Sequence, residues 1–344
     1  MMDIEDSAGA PITQNQCAVL GKPIRHSLSP ILHQAAYRSL GLADTWSYHR
    51  YEVDEEHLGA FLSGLDPSWR GLSLTMPLKR TIQPYGIPSN MWARRLAVAN
   101  TVVFDWNQPG VPGPARQQGL PMMHLYNTDV DGIDLAIRHA WIAAGKRQSH
   151  ERGLHALVIG NGNTAMSAIA ALSQLSVPGG ATVRDVTVAA RHPERNGDIV
   201  ALARHQHDGR LSGIDIDVNI ITLDHVLETI ETIADRDIVI STLPSRAADP
   251  VANALGEAGV PVHGTLLDVA YDPRPSALNR AWSRAGGLSI GGEDMLLYQA
   301  IGQVCLMTGR GADHWSGGLP AGAQEVDATL EDAMREALLE ALNG

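Results

Sequence analysis

Short apolar runs alternate with segments of helical character through the second half of the chain. The runs predicted to be strands are Ala156–Ile159, Val186–Ala190, Ile216–Ile221, Ile238–Ser241, Leu266–Val269 and Leu288–Ile290. A helix is expected over Met166–Leu175, directly after the first of them. This alternation predicts a parallel sheet that helices cover on both faces.

The first half of the chain has a more varied pattern. Predicted strands are Ala18–Leu20, Trp46–Val53, Trp69–Met76 and Val102–Phe104, and predicted helices are Ile31–Leu40, Glu55–Leu65 and Ile133–Ala144. Ser29 is the expected N-cap of the first helix, and Gly41 is expected to end it. The stretch Asp105–Met122 is rich in Pro, Gly and Gln and predicts a long exposed hairpin loop. An amphipathic helix over Asp327–Leu342 is expected to pack onto the body of the protein.

The length of 344 residues favours an α/β protein of two domains separated by a cleft. We expect residues 1–16 to form a loose tail. Residues 17–128 and 294–344 would together form one α/β domain. Residues 129–293 would form a second, Rossmann-like domain, which the predicted helix from Ile133 joins to the first.

A glycine-rich turn follows the first predicted strand of the second domain. It reads Gly160-Asn161-Gly162-Asn163-Thr164-Ala165 and fits the dinucleotide-binding pattern G-x-G-x-x-G/A. Gly160 can adopt a positive φ, and Gly162 has no Cβ to keep a phosphate from the backbone. The next helix would present free N–H groups to that phosphate. Alone, the turn fits an ordinary strand–turn–helix corner about as well.

The end of the next strand favours NADP over NAD. Many NAD enzymes carry an acidic residue there for the ribose 2′-OH, whereas a basic residue accommodates the 2′-phosphate of NADP. Here Ala190 ends the strand, and Arg191 and Arg195 follow. A guanidinium can bind phosphate with two hydrogen bonds, although an arginine without a ligand at a helix start is the simpler alternative. Thr242 ends a later strand, at the sheet edge where the nicotinamide is expected.

Composition and charge argue against several classes of protein. The 44% apolar and 19% charged content are typical of a globular chain. A net charge of −12 without a basic stripe argues against a nucleic-acid partner. No apolar run reaches the roughly 18 residues of a membrane span, and the N-terminus lacks a secretory pattern, so we expect a cytoplasmic protein without a membrane partner. Cys17 and Cys305 offer neither metal-ligand spacing nor a disulfide framework, so no metal is expected.

Several polar residues at predicted turns are candidates for contact with a small molecule. Ser27 and Ser29 lie at a strand-to-helix turn, and Lys79 follows a strand that carries hydroxyl groups. Tyr271 is a possible wall of the cleft, and Gln299 lies among apolar residues, where a buried amide needs partners. Local physics alone favours simpler roles, namely turn formation and capping for the serines and solvation for the lysine.

Together these motifs resemble the shikimate dehydrogenase family, especially its actinobacterial members. The resemblance extends from Cys17 to Gly309 and includes a plausible terminal helix. The motifs follow one another in the family's order. They are Gly21–Pro30 with His33, Leu74–Lys79, Ala99–Thr101, Asn127–Asp129, and Asp294–Leu296 with Gln299.

The resemblance implies a reversible, NADPH-dependent reduction of 3-dehydroshikimate to shikimate in the route to chorismate and the aromatic amino acids. Lys79 and Asp129 would be the catalytic pair. Lys79 is favoured as acid/base or charge stabiliser and Asp129 as its orienting partner, because a lysine beside a carboxylate can relay a hydroxyl proton. The implied substrate contacts are Ser27, Ser29, Ser73, Thr75, Asn100, Tyr271 and Gln299. The implied cofactor contacts are Gly160, Asn161, Gly162, Asn163, Thr164, Ala165, Arg191, Arg195, Thr242 and Gly292.

Three places depart from the family's usual pattern. Ser73 stands where an asparagine is usual, Asn163 and Thr164 make the glycine turn more polar, and Ala190-Arg191-His192 replaces Asn-Arg-Thr.

Two other functions stay open. One is an NAD-preferring quinate/shikimate dehydrogenase, against which the missing acidic residue at Ala190 speaks. The other is a catalytically silent metabolite- or nucleotide-binding homologue, against which Lys79 and Asp129 speak. A monomer and a homodimer are both compatible with the sequence.

Overall fold

The structure, a computed structural model, describes residues 15–110, 120–146, 153–175, 180–205, 209, 211, 214–311, 315 and 327–343. The predicted tail 1–16 lies outside this part up to residue 14. Asn15 and Gln16, by contrast, already belong to the first strand, because Asn15 donates its backbone N–H to Thr45 O and pairs with Trp46. The tail is therefore shorter than predicted.

The first sheet has six strands in the order β2-β1-β3-β5-β6-β4. They are β1 (Asn15–Gly21), β2 (Trp46–Glu52), β3 (Trp69–Leu74), β4 (Ile87–Pro88), β5 (Thr101–Pro109) and β6 (Pro121–Tyr126). β1 runs parallel to β2 and β3, whereas β5 is antiparallel to β3 and β6. The predicted strands are confirmed, although β3 ends at Leu74 and not at Met76.

The predicted hairpin is confirmed, because β5 and β6 pair antiparallel, but the loop Asp105–Met122 is wrong at both ends. β5 continues to Pro109 and β6 begins at Pro121, while 111–119 lie outside the described residues. The indole of Trp106 donates a hydrogen bond of 2.7 Å to Trp69 O, which ties this part of β5 to β3. Because the stretch lacks apolar periodicity, the sequence does not show how far the two strands extend into it.

Four helices accompany the first sheet, namely α1 (Ser29–Ser39), α2 (Leu58–Ser63), α3 (Leu78–Thr81) and α4 (Met91–Leu96). The predicted N-cap Ser29 is wrong. Leu28 is the N-cap, without a side-chain bond, and Ser29 is the first helical residue. The hydroxyl of Ser27 instead accepts the Ser29 N–H at 3.3 Å. The second helix is shorter than the predicted Glu55–Leu65.

The second sheet is parallel throughout, in the order β12-β11-β10-β7-β8-β9. Its strands are β7 (Leu154–Ile159), β8 (Val183–Ala190), β9 (Asp217–Thr222), β10 (Ile238–Ser241), β11 (Thr265–Asp268) and β12 (Leu288–Gly291). All six predicted strands are confirmed, with small shifts at their ends. The strand order reverses between β7 and β10, and ligands of doubly wound sheets bind at such a point.

Nine helices complete the described part of the chain. They are α5 (Asp129–Ala143), α6 (Asn163–Gln174), α7 (Gly197–Ala203), α8 (Leu223–Glu228), α9 (Glu231–Ala234), α10 (Asp249–Ala258), α11 (Ala277–Arg284), α12 (Gly292–Thr308) and α13 (Ala328–Asn343). Helix α5 begins at Asp129, earlier than the predicted Ile133. The cause is Asn127, whose side-chain oxygen accepts the N–H groups of Asp129 and Val130.

The last two helices return to the first sheet. α12 packs on α5 and α1, and α13 packs on α1 and α12 with Leu330, Met334 and Leu338 buried. Arg335 of α13 reaches Asp294 of α12 at 2.7 Å. The prediction that the terminal helix packs onto the body is confirmed. No helix in the described part of the chain is long and apolar enough to cross a membrane.

Candidate active site

A cavity of about 300 Å³ lies between the two sheets. The first sheet and its connections contribute a largely polar wall, and the loops of the second sheet together with α12 contribute the other. Residues of the first wall include Ser27, Ser29, Ser73, Thr75, Lys79, Asn100 and Asp129, and residues of the second include Thr164, Val269, Tyr271, Gly292, Met295, Gln299 and Gln303. The structure thus brings together all nine residues predicted for catalysis and substrate binding; their roles stay predictions.

Lys79 and Asp129 form an ion pair in this cavity. Lys79 Nζ lies 2.6 Å from Asp129 Oδ2, and the two side chains are 12% and 4% exposed. The short helix α3 carries Lys79 beyond the end of β3, and Asp129 is the first residue of α5. An ammonium group that is paired and largely shielded from water is well placed to hold a proton or charge beside a substrate oxygen.

Asn100 connects the pair with the rest of the pocket. Its amide Nδ2 donates to Asp129 Oδ1 at 2.8 Å, to Thr128 Oγ1 at 2.9 Å and to Gln299 Oε1 at 3.2 Å. Its Oδ1 accepts the backbone N–H of Thr128 at 2.9 Å. The side chain is buried, so these contacts fix the orientation of the Asp129 carboxylate.

Gln299 supplies an amide from the opposite side of the pocket. Its Nε2 donates to Leu296 O at 2.9 Å, and its Oε1 accepts a hydrogen bond from Asn100 Nδ2 at 3.2 Å. Its backbone carbonyl accepts the hydroxyl of Thr128 at 3.0 Å. The predicted need of this buried amide for partners is therefore met, and α12 is anchored to the start of α5.

Ser73 lies at the floor of the pocket within a buried polar network. Tyr48 donates to Ser73 Oγ at 2.6 Å, and Ser73 in turn donates to Gln303 Oε1 at 2.7 Å. His33 Nε2 lies 3.3 Å from the same Gln303 oxygen, and its ring stacks on Tyr48. Burial lowers the pKa of His33 to about 3, so the imidazole is neutral and this floor carries no positive charge at neutral pH.

Two hydroxyl-bearing segments and one phenol complete the pocket. Arg50 Nη1 donates to Arg25 O at 2.5 Å and thereby holds the loop that carries Ser27. Thr75 N donates to Leu20 O, which fixes the end of β3 against β1. Burial raises the pKa of the Tyr271 phenol, which therefore stays protonated and can donate a hydrogen bond.

The glycine turn has the geometry of a phosphate cradle. Gly160 has φ +114°, and a Cβ there would lie 2.4 Å from Thr242 Oγ1. Thr242 itself is fixed by bonds from its N–H and hydroxyl to Ile159 O. At Gly162, no atom of the described residues lies within 4 Å of an added Cβ, apart from the chain neighbours. Gly162 is also the N-cap of α6 and makes no side-chain cap, so the first-turn N–H groups of α6 remain available to a phosphate.

The loop after β8 lies against this turn. Asn161 Nδ2 donates to His192 O at 2.7 Å, and Asn196 Nδ2 donates to Asn161 O at 3.0 Å. Arg191 and Arg195 are exposed on this loop. Asn161 therefore holds the loop in place through its side chain.

Four predicted cofactor residues remain, namely Asn163, Thr164, Ala165 and Gly292. Asn163 is the first residue of α6, and its side chain accepts a hydrogen bond from Arg80. Ala165 is buried under the turn, and Thr164 lines the cavity. Gly292 begins α12, where a Cβ would lie 2.1 Å from Val269 O, so only glycine allows this approach.

Some pocket residues were missed in the sequence. Gln303 follows Gln299 by one helical turn, a spacing that could have placed it on the same face. His26 lines the cavity beside Ser27. Outside the cavity, Arg80 on α3 donates a hydrogen bond to Asn163 on α6. Among the residues that the structure describes, no three His, Cys, Asp or Glu side chains group closely enough to hold a metal ion.

The fold and the site define a class of protein, the two-domain α/β dehydrogenases whose nucleotide-type sheet faces a polar substrate pocket. Residues 19–102 match the model of the shikimate dehydrogenase substrate binding domain. The NADP(+) shikimate dehydrogenase of Methanothrix thermoacetophila is 31% identical over 293 residues, 85% of this chain and 91% of that protein.

Two mycobacterial crystal structures are similar as well. The shikimate dehydrogenase of Mycobacterium tuberculosis is 32% identical with a TM-score of 0.67, covering 95% of this chain and 99% of that one. The shikimate 5-dehydrogenase of Mycobacterium fortuitum is 34% identical with a TM-score of 0.63, covering 94% and 97%. The chain belongs to the shikimate dehydrogenase family.

Proposed function

We propose that the protein catalyses the reversible, NADPH-dependent reduction of 3-dehydroshikimate to shikimate. The observation that carries this proposal is the Lys79–Asp129 pair, 2.6 Å apart, in a cavity that Thr164 and Gly292 of the nucleotide-type part also line. Membership of the family and the NADP(+) activity named for its relative support it.

Lys79 performs the proton chemistry in this proposal. Reduction of a ketone leaves negative charge on its oxygen, and an ammonium group beside that oxygen stabilises the charge and delivers the proton. Asp129 holds Lys79 Nζ through Oδ2, and Asn100 holds Asp129 through Oδ1. When bound, NADPH supplies the hydride for the ketone carbon.

The polar walls suit a small acid with several hydroxyl groups. Serine and threonine hydroxyls both donate and accept, and the amides of Asn100, Gln299 and Gln303 offer both kinds of group at fixed positions. We assign the predicted substrate contacts Ser27, Ser29, Ser73, Thr75 and Tyr271 to the hydroxyls and carboxylate of the substrate.

The glycine turn fits the pyrophosphate of a dinucleotide, because Gly160 and Gly162 leave the backbone and the N-terminus of α6 open to it. We assign the 2′-phosphate of NADP to Arg191 and Arg195. No acidic residue follows Ala190 directly, which disfavours recognition of the free ribose hydroxyl of NAD. A cytoplasmic location stays a prediction, and a monomer and a homodimer both remain open.

The test is a set of steady-state rates for shikimate and quinate, each with NADP+ and NAD+. The proposal expects the highest kcat/KM with shikimate and NADP+. A preference for NAD+ with quinate would favour the quinate/shikimate dehydrogenase. No turnover with any pair, despite measurable NADP+ binding, would favour the silent homologue.

A further inference from the structure

Arg80 crosses the cleft between the two sheets. It follows Lys79 on α3, and neighbouring helical residues project about 100° apart, so the two side chains diverge. Lys79 enters the cavity, whereas Arg80 Nε donates to Asn163 Oδ1 at 2.8 Å and Nη2 lies 2.8 Å from Asp198 Oδ2. A helix beside the first sheet thus contacts two helices beside the second sheet.

Both partners of Arg80 lie close to the segments to which we assign the phosphates of the cofactor. Asn163 is the first residue of α6, directly after the glycine turn, and Asp198 lies in the first turn of α7, directly after the loop that carries Arg191 and Arg195. The guanidinium of Arg80 therefore lies where the pyrophosphate and 2′-phosphate sites meet.

We infer that Arg80 is a further cofactor-binding residue, a guanidinium that binds a phosphate group of the dinucleotide from across the cleft. The inference rests on the proposed function for its cofactor. The side chain of Arg80 is 41% exposed and so accessible to a ligand.

Asp198 is the competing anion. A carboxylate near a phosphate site repels the ligand, and the ion pair with Arg80 offsets that repulsion. The 2′-phosphate carries up to two negative charges and the pyrophosphate one on each phosphate, and both accept two guanidinium hydrogen bonds, so a bound dinucleotide competes with Asp198 for Arg80.

The competing explanation is that the Arg80–Asp198 ion pair is purely structural. The two explanations predict different effects of Asp198→Asn on cofactor binding. If the pair only holds the two parts of the chain together, Asp198→Asn weakens cofactor binding as Arg80→Gln does, although less strongly because Arg80 also bonds Asn163. If Arg80 binds phosphate, Arg80→Gln weakens binding, whereas Asp198→Asn removes the competing carboxylate and leaves binding unchanged or tighter.

The experiment is calorimetric titration of NADP+ and of NAD+ into the full chain, with thermal unfolding of each variant to show that it folds. Arg38→Gln is the matched control, because Arg38 is exposed in the last turn of α1 and its loss changes the net charge equally. We expect Arg80→Gln to raise the Kd for NADP+ about tenfold, the scale of a partly exposed charge-assisted hydrogen bond. If the affinity for NAD+ falls as much as the affinity for NADP+, Arg80 binds the pyrophosphate. If only the affinity for NADP+ falls, Arg80 binds the 2′-phosphate.

An unchanged Kd in Arg80→Gln, or a rise in Kd in both Arg80→Gln and Asp198→Asn, would overturn the inference. Failure of the proposed function looks different. Wild-type protein that binds NADP+ without oxidising shikimate refutes the reaction but leaves the Arg80 test intact. Wild-type protein that does not bind NADP+ refutes the cofactor assignment and the inference with it.

Discussion

Asn100→Ala removes the amide that joins three parts of the pocket. The buried Nδ2 of Asn100 contacts Asp129, Thr128 and Gln299, and its Oδ1 accepts the N–H of Thr128. Without it, the Asp129 carboxylate loses the partner that sets its orientation toward Lys79.

The size of the effect follows from these contacts. A hydrogen bond to a charged group contributes about 1.5–3 kcal/mol, so the lost bond to Asp129 should lower kcat/KM by about 10- to 150-fold. The orphaned N–H of Thr128 adds a loss of about 1–3 kcal/mol in the free energy of unfolding.

Asn279→Ala is the matched control. Asn279 is also buried, and its Nδ2 donates to Ser289 Oγ at 2.7 Å and to Ile290 O at 3.0 Å, but it does not line the cavity. Steady-state rates with shikimate and NADP+ measure the effect on kcat/KM, and urea unfolding measures the effect on the free energy of unfolding. Both variants should lose stability, and only Asn100→Ala should lose turnover. Equal kcat/KM in the two variants would refute the role given to Asn100.

Four further substitutions test other parts of the structure. Gly160→Ala should destabilise the fold by about 1–3 kcal/mol, because φ is +114° and an added Cβ meets Thr242. Gly162→Ala, by contrast, should keep the melting temperature of the wild type and still bind NADP+ more weakly. Equal melting temperatures in the two variants would contradict this. Gln303→Leu should raise the KM for shikimate about 5- to 30-fold without changing the Kd for NADP+, and a change confined to NADP+ would contradict the floor assignment. Burial raises the pKa of Asp131 to about 7, above its unfolded value, so its contribution to stability falls as pH rises from about 4 to 7. Asp131→Asn should therefore exceed wild type in melting temperature at pH 8 by an amount that shrinks by pH 4, and a pH-independent difference would contradict this.

The second sheet was predictable because its signals are local. Each strand is a short apolar run, and the turn from Gly160 to Ala165 joins one strand to one helix, so neighbouring residues alone indicate the geometry. The start of α5 was missed because it depends on capping by Asn127, a side-chain contact without an apolar signature. The wrong cap at Ser29 has the same origin, since Ser27 accepts the bond instead.

The pocket was only partly predictable. Lys79 and Asp129 were paired through resemblance, because fifty residues separate them and no periodicity links them. Arg80 could not be predicted at all, since its contacts with Asn163 and Asp198 depend on how the two sheets face each other. Local patterns specify elements, whereas contacts between domains depend on packing that the local pattern does not encode.

The most direct test of the account is the kcat of Lys79→Met for reduction of 3-dehydroshikimate by NADPH. Lys22→Met is the control, because Lys22 is an exposed lysine paired with Asp54 outside the cavity. Thermal unfolding shows whether each variant folds, since Asp129 loses its partner in Lys79→Met. The account predicts a fall in kcat of about 10²- to 10⁴-fold with little change in KM, the result expected for a group that acts in the transition state. A kcat within a few-fold of the Lys22→Met control, with any loss confined to KM, would contradict it.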